Sequence, residues 1–441
     1  MRKRFKVVGL ISILFLFSVD FIFAQDTIRV MQYNLLYYGK KTDFCTTTNN
    51  NIDDKNGYLK EIIQYVKPDI FSVNELDGEG AYPVSDDATY LLENALNVDG
   101  ISYYRRTEFP VIYLANTIFY NSNKLRIKEH IPKSFYYAGL EKVFNVYKFY
   151  YNAEDLETTN DTAYIYCLVA HLKAGSYPEN ETQRAYETSV IMDYFESIGE
   201  EGNYLVMGDF NLYTPTETAF QNLINPENNI YSFYDPADQI GEWSSNYDYR
   251  YYYTQSTHSS GDCYSGGGMD DRFDFILASN YIMNGNNHFQ YITDSYKTIG
   301  QDGSSYNSSL NTSSNSVVPA NVAQALYKMS DHLPVYLELK IDQNQGEPLG
   351  LVDDVKEEVS VIYQNPVKDN LLLQATGITS KEVIVSLYSV QGEKLIEKEV
   401  TTNNRHLEIS FNLTKFPDGI YVLNISNKNE LVYSSKILIQ N

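Results

Sequence analysis

Tyr204-Leu205-Val206-Met207-Gly208-Asp209-Phe210-Asn211 is the stretch on which the reading of this chain turns. Four apolar residues have the length and composition of a buried strand. The strand ends in an Asp and an Asn two residues apart, so a carboxylate and an amide reach the same rim. A carboxylate can orient or deprotonate a water, and an amide can donate to a developing oxyanion. Alone, Gly-Asp at a strand end is ordinary turn chemistry.

Other strand ends carry matching groups. The apolar run 28–33 ends on Asn34, and Asp69-Ile70-Phe71-Ser72-Val73-Asn74 leads into Glu75. The run 164–170 ends on His171. Ser330-Asp331-His332 precedes an alternating strand over 333–339, and Asp274 lies inside the strand-like segment 271–277. Functional groups gathered at the ends of several strands are what an α/β scaffold uses to build a site.

Helical patterns separate these strands. Leu59, Ile62, Ile63 and Val66 repeat at helical spacing over 57–66, and residues 179–198 carry the longest such stripe behind Pro178. Strands alternating with helices over 26–340 predict a layered α/β domain. Two long polar stretches, 231–270 and 295–315, interrupt it; loops of this length are usually functional or mobile. Beyond an acidic linker, 341–358, short alternating runs at 371–373, 383–388, 407–411, 420–425 and 436–439 predict an all-β module over 359–441.

Composition bounds the function. The chain has 441 residues, 57 acidic against 34 basic, and a net charge of −23. Such a surface opposes non-specific attraction to polyanions and argues against a broad basic nucleic-acid groove. It leaves a metal-dependent nuclease open, because a bound divalent ion inverts local charge. Arg2, Lys3, Arg4 and Lys6 followed by an apolar run over 7–19 and Ile22-Phe23-Ala24 read as a signal peptide cleaved after Ala24. The run is shorter than the roughly 20 residues of a spanning helix, and no later stretch is long enough. Three cysteines make no disulfide framework. Cys167 reads as a small core residue; Cys45 and Cys263, both in polar loops, are either paired or free.

The ordered motifs Met31-Gln32-Tyr33-Asn34, Pro68-Asp69-Ile70-Phe71-Ser72-Val73-Asn74-Glu75, Val169-Ala170-His171-Leu172, Gly208-Asp209-Phe210-Asn211, Arg272-Phe273-Asp274-Phe275-Ile276 and Ser330-Asp331-His332-Leu333-Pro334-Val335 resemble those of the endonuclease/exonuclease/phosphatase superfamily. The resemblance implies a four-layer α/β sandwich, two packed mixed sheets flanked by helices, over 25–340. It implies Mg²⁺ or Mn²⁺ held by Asn34, Glu75 and Asp331, with Ca²⁺ as a structural ion. Asp209 would activate water and Asn211 would serve the phosphoryl oxygen. His332 would pair with Asp274, and His171 would contact a phosphate oxygen or act as acid. The position that carries a supporting Glu for this His in the pancreatic-type nucleases aligns with Leu114; Glu108 is the nearest acid. Arg105 and Arg106 could contact a phosphate or serve surface ion pairs. Tyr251, in the tyrosine-rich run 247–253, could stack on a base.

The implied activity is an exported, monomeric, metal-dependent phosphodiesterase, a nuclease above all. A phosphomonoesterase or sphingomyelinase-like lipid hydrolase is the alternative within the family, and a non-catalytic surface adhesin the alternative outside it. The tail resembles the sorting domain of type IX secretion cargo. Its motifs are Tyr363-Gln364-Asn365-Pro366-Val367-Lys368-Asp369, Leu387-Tyr388-Ser389-Val390-Gln391-Gly392, Phe416-Pro417-Asp418-Gly419-Ile420-Tyr421 and Lys436-Ile437. The usual Tyr-Pro-Asn-Pro start reads Tyr-Gln-Asn-Pro here. This implies passage through the periplasm and release or display at the cell surface. A carbohydrate-binding or adhesion sandwich is the other reading of such a β module.

Overall fold

Successive side chains of a strand point to opposite faces, and the first strand, β1 (Gln25–Tyr38), is apolar on both. Ile28 and Val30 enter one buried cluster, Met31 and Tyr33 another. A strand buried on both faces belongs at the centre of stacked layers. The computed structural model, which describes residues 25–79, 86–138, 140–154, 156–157, 162–226, 231–342, 360–362, 367–376, 378, 380–389, 394–402, 406–427 and 431–440, places it there. The signal segment, most of the acidic linker and Tyr363 to Pro366 of the sorting motif lie outside the described residues.

The chain divides into two units, Met1–Glu347 and Pro348–Asn441. In the first, one sheet has β1 beside β2 (Ile70–Gly78), which leads outward to β4 (Ile112–Asn121) and β3 (Tyr104–Arg106). On the other side of β1 lies β13 (Val335–Asp342), paired with the short β11 (Gln290–Tyr291) and β12 (Lys297–Thr298). The second sheet runs β5 (Leu125–Tyr137), β6 (Leu140–Tyr151), β7 (Tyr164–His171), β8 (Tyr204–Asp209), β10 (Asp274–Ser279), β9 (Phe233–Tyr234). Among the described strands of these sheets, β1–β2 and β7–β8 are the parallel pairs, so both sheets are mixed.

Three apolar clusters hold the layers. Val30, Ile70, Ile118, Val169, Met207 and Leu337 fill the space between the sheets. Met31, Tyr33 and Phe71 pack the first sheet's other face against α1 (Ile52–Val66) and α6 (Ala320–Met329). Val206, Phe275 and Leu277 pack the second sheet against α3 (Pro178–Ile198) and α4 (Thr218–Ile224). The short α2 (Asp87–Leu91) and α5 (Asn280–Asn284) complete a four-layer α/β sandwich. Each fully buried aliphatic side chain contributes about 1.5–3 kcal/mol.

α1 begins five residues before the predicted start at Gly57. Asn51 accepts hydrogen bonds from the Asp53 and Asp54 N–H groups, and this cap outweighs the low helix propensity of Gly57. α3 starts with Pro178 in its first turn, as predicted, and stops at Gly199 in the left-handed region.

The second unit is all-β. A three-stranded sheet holds β14 (Ser360–Ile362), β15 (Asn370–Thr376) and β18 (His406–Asn412). A four-stranded sheet holds β17 (Lys394–Thr401), β16 (Glu382–Ser389), β19 (Gly419–Ser426) and β20 (Leu431–Ile439). They share a core that includes Leu371, Val385, Leu423 and Ile437. The β17 segment, Lys-Leu-Ile-Glu-Lys-Glu-Val-Thr, has no buried face among its residues, so alternation did not reveal it. No helix of the described residues is long and apolar enough to cross a membrane.

Candidate active site

Register gathers the chemistry. His171 lies opposite Asp209 in the parallel β7–β8 pair, and Asp274 lies opposite Asp209 across β10. Asn34 lies opposite Asn74 in the parallel β1–β2 pair. The pairing of β2 with β4 then slips between Val73 and Leu76, where Glu75 takes a left-handed φ of 59°. A bulge of this kind re-aims one side chain, and here it turns Glu75 toward the other sheet. Gly208, with φ 152°, is needed because a Cβ there would meet the Ala170 carbonyl oxygen at 1.7 Å. Close approach of β7 and β8 at their functional ends depends on it.

Asn74 stitches the two sheets. Its Oδ1 accepts from the Asp209 N–H (2.9 Å) and Gln32 Nε2 (2.6 Å), and its Nδ2 donates to Asn116 Oδ1 (2.8 Å) and the Ala170 carbonyl (3.3 Å). Asn34 Nδ2 then donates to Glu75 Oε1 (3.1 Å) and Asp209 Oδ2 (3.0 Å), one carboxylate from each sheet. His171 Nε2 lies 3.5 Å from Asp209 Oδ2 and 3.9 Å from Glu75 Oε1. His332 Nδ1 donates to Asp274 Oδ2 at 2.6 Å, while its Nε2 lies 3.6 Å from Asp209 Oδ2 and 2.7 Å from Gln255 Nε2. Asn211, φ 50°, donates its N–H to Asp209 Oδ1 (3.1 Å) and its Nδ2 to the Leu172 carbonyl (3.2 Å).

Burial and charge separate the two histidines. Burial opposes the charge on His332, but the carboxylates of Asp274 and Asp209 outweigh it and hold the imidazolium well above its usual range. A protonated ring has two N–H groups, so Gln255 must turn its carbonyl oxygen toward Nε2. His171 is the opposite case: burial, with Lys142 and His332 adding repulsion, pushes it down to about 3. Its ring is therefore neutral. Burial raises Asp209 to about 8, against the pull of the His332 charge. Burial also raises Glu75, and the neighbouring Asp331 adds to the shift.

The donor set fits a divalent cation. Glu75, His171 and Asp209 each offer one ligand atom, and the three atoms lie within 4.8 Å of one another. Asp331 lines the same cavity; its Oδ2 accepts from the Ser265 N–H (2.9 Å), while its Oδ1 is buried with no hydrogen-bond partner. A buried carboxylate oxygen without a partner is costly unless something positive faces it. Asn34 is placed differently from a ligand: its Oδ1 accepts from the Leu36 N–H (2.9 Å), and the amide bridges the two carboxylates through nitrogen.

Thus Asn34, Glu75, His171, Asp209, Asn211, Asp274, Asp331 and His332 come together. Arg105, Arg106 and Tyr251 do not join them. Arg105 and Arg106 pair with Tyr120 and Phe119, which lie opposite Ile70 and Phe71. That is the far end of β2 from Glu75, a distance of about 13–17 Å at strand rise. Arg106 instead pairs with Asp86 (2.6 Å) and Glu108 (3.6 Å). This engages Glu108 away from His171, and Leu114 lines the cavity in its place. Tyr251 lines a separate cleft with Arg29 and Lys297, its ring 4.5 Å from the Arg250 guanidinium.

Three contributors escaped sequence reasoning. Asn74 sat inside a quoted motif but had no assigned role. Gln255 lies in a long polar loop without periodicity. Lys55 precedes the predicted helix start at Gly57 and has no role assigned from sequence; it lies in the first turn of α1, 2% exposed, and burial pushes its ammonium down to about 7 against the pull of Asp331 and Glu75. Cys45 and Cys263 are joined in a disulfide, and both line the cavity.

Residues 361–440 match the family model of the secretion system C-terminal sorting domain. No curated protein matches the chain by sequence. Among solved structures, the chain is similar to a humanized D. rerio TDP2 carrying 14 mutations (15% identity, 71% of this chain and 98% of that chain, TM-score 0.45). It is also similar to an endonuclease/exonuclease/phosphatase family protein from Bacteroides thetaiotaomicron (16%, 74% and 99%, 0.43). A third is the human Nocturnin catalytic domain with bound sulfate anion (16%, 71% and 97%, 0.41). The functional reading rests on the side-chain cluster of this chain and not on these likenesses.

Proposed function

We propose that the region 25–340 is a divalent-metal-dependent phosphoesterase, a phosphodiesterase acting on nucleic acid in its leading form. One observation carries this reading. The cavity of about 650 Å³ over the cluster is lined by Asp43, Glu75, Asp209, Asp262 and Asp331, with His171 and His332 and, among the described residues, no Lys or Arg. A phosphoester anion enters such a cavity only with a cation that offsets the carboxylates. The ordered motifs and the ligand-like grouping of Glu75, His171 and Asp209 support the same conclusion.

Glu75 and Asp331 would hold the ion, beside Asp209 and His171. Bound there, it would neutralise phosphate charge and make water a better nucleophile at neutral pH. Asp209 takes the proton of the attacking water. Asn34 holds Asp209 and Glu75 at fixed separation. The charged His332, held by Asp274, donates to the phosphoryl group and can return a proton to the departing alkoxide. The new bond joins the water oxygen to phosphorus, and the bond to the leaving oxygen breaks. Neutral His171 hydrogen-bonds to a phosphate oxygen.

A second reading has its own support. The cavity presents Phe44 (72% exposed) and Tyr113 (49% exposed) beside Asp43 and Asp262. Aromatic faces next to carboxylates suit a neutral ring or a cationic headgroup better than a further phosphate. A zwitterionic lipid phosphodiester therefore ranks second. The C-terminal domain supports export by the type IX machinery, through the periplasm to the surface or the medium.

The test is a substrate panel: the mature chain with Mg²⁺ or Mn²⁺ against plasmid, RNA, sphingomyelin, inositol phosphates and bis-nitrophenyl phosphate. Cleavage of nucleic acid, abolished by chelator and by Glu75→Ala, is the expected result. Turnover of sphingomyelin alone promotes the second reading, and full activity in excess chelator sinks the metal-dependent mechanism.

A further inference from the structure

We propose that Lys55 is a positioning residue for Glu75: its buried ammonium pins the left-handed kink of β1 that aims a backbone N–H at the Glu75 carboxylate. The inference rests on the metal-dependent reading of the site.

The kink lies where β1 loses register with β2, between Asn34 and Tyr38. Leu36 (φ 46°) and Tyr37 (φ 48°) are both left-handed. Neither is Gly, Asn or Asp, so the conformation is strained at both. Something must over-determine a conformation like this. Lys55 Nζ donates to the Leu35 carbonyl (2.7 Å) and the Leu36 carbonyl (2.5 Å), and Asn50 Nδ2 donates to the Tyr37 carbonyl (2.9 Å). With three successive carbonyls held by the loop and first turn of α1, the N–H groups face the site. The Leu36 N–H meets Asn34 Oδ1 (2.9 Å), and the Tyr37 N–H meets Glu75 Oε2 (3.1 Å). Glu75 is thereby held at both oxygens, by Tyr37 N–H at one and Asn34 Nδ2 at the other.

A lysine is an expensive way merely to fill a core. Burying an ammonium costs several kcal/mol, and a methionine of similar volume packs without it. The charge serves the cluster above: Asp331 and Glu75 both act on Lys55 across the kink. Outer groups that orient a metal's ligands typically change affinity about 10–100-fold when removed.

The experiment compares the full mature chain with Lys55→Met and Lys55→Arg. Mn²⁺ affinity is measured by titration calorimetry, and folding is followed by thermal melts in chelator. The expected result is that Lys55→Met remains folded at 25 °C but binds Mn²⁺ about 10–100-fold more weakly. Lys55→Arg, which keeps the charge and the donors, recovers most of the loss. A folded Lys55→Met with the parent's affinity overturns the proposal. Equal losses in the two variants overturn it as well, since volume rather than charge would then be at work. If neither variant folds, Lys55 is a folding residue and the proposal fails. Absence of Mn²⁺ binding by the parent overturns the metal-dependent reading and the Lys55 role with it, an outcome distinct from the others.

Discussion

Replacing His332 with alanine should damage both rate and stability, whereas replacing His171 should touch rate far more than stability. Loss of a general acid or base costs about 10²–10⁴ in rate, or about 2.7–5.4 kcal/mol at the transition state. His332 is charged, sits 2.6 Å from Asp274 and approaches Asp209 at 3.6 Å. Its removal leaves Asp274 wholly buried with no ion partner. Breaking a buried pair by removing one member costs about 3–5 kcal/mol. His171 has no carboxylate behind it, and burial keeps it neutral, so its alanine variant loses no ion pair. A stability change of about 1 kcal/mol and a rate loss at the lower end of the range follow for it. The assays are kcat/KM on bis-nitrophenyl phosphate with Mn²⁺, and urea unfolding in chelator. The double variant His332→Ala/Asp274→Ala should recover part of the stability lost by His332→Ala alone. Equal rate losses for the two histidines, or a His332→Ala protein as stable as the parent, would refute this assignment of roles.

Acid should unfold the first unit partly through Asp235. Burial favours its protonation, but the Arg272 guanidinium, bonded at 2.7 and 2.8 Å, outweighs this and holds the carboxyl below its usual range. A depressed folded-state pKa adds stability above the unfolded value of about 3.9 and loses it as pH falls further. Melting temperature against pH should therefore drop more steeply below about pH 4 in the parent than in Asp235→Asn, which should already be less stable at neutral pH; parallel curves would count against the pair. The Cys45–Cys263 bridge spans 218 residues, so Cys45→Ala/Cys263→Ala should lose up to about 5 kcal/mol in urea unfolding; a loss below about 1 kcal/mol would mean the bridge constrains little. Removal of 359–441 should leave metal-dependent activity and the first unit's melt intact while blocking export, because each unit has its own core; a collapsed melt would tie the β module to the enzyme.

Much of this protein is legible in one dimension because strand chemistry is local. Polar groups that close apolar strand runs stand out in sequence, so Asn34, Glu75, His171, Asp209 and His332 announce a site, although only His171 and Asp209 end their strands in the structure. The 3.6-residue stripe over 179–198 likewise made α3 visible, and apolar alternation exposed most strands of the C-terminal domain. What tertiary structure decided are the relations between distant residues. Arg105 and Arg106 looked like phosphate contacts until antiparallel pairing with β4 carried them to the wrong end of the sheet. Tyr251 shares a loop with Gln255, yet only Gln255 reaches His332, because the turn between them faces different clefts. Lys55 falls outside the helix predicted over 57–66 and carries no signal of its own in the sequence. It becomes a buried support only because the kinked segment of β1, far from it in sequence, presents the Leu35 and Leu36 carbonyls to it. Periodicity reports which face a residue takes; register, bulges and desolvation, which arise only when separate segments meet, settle what that face touches and what charge it carries.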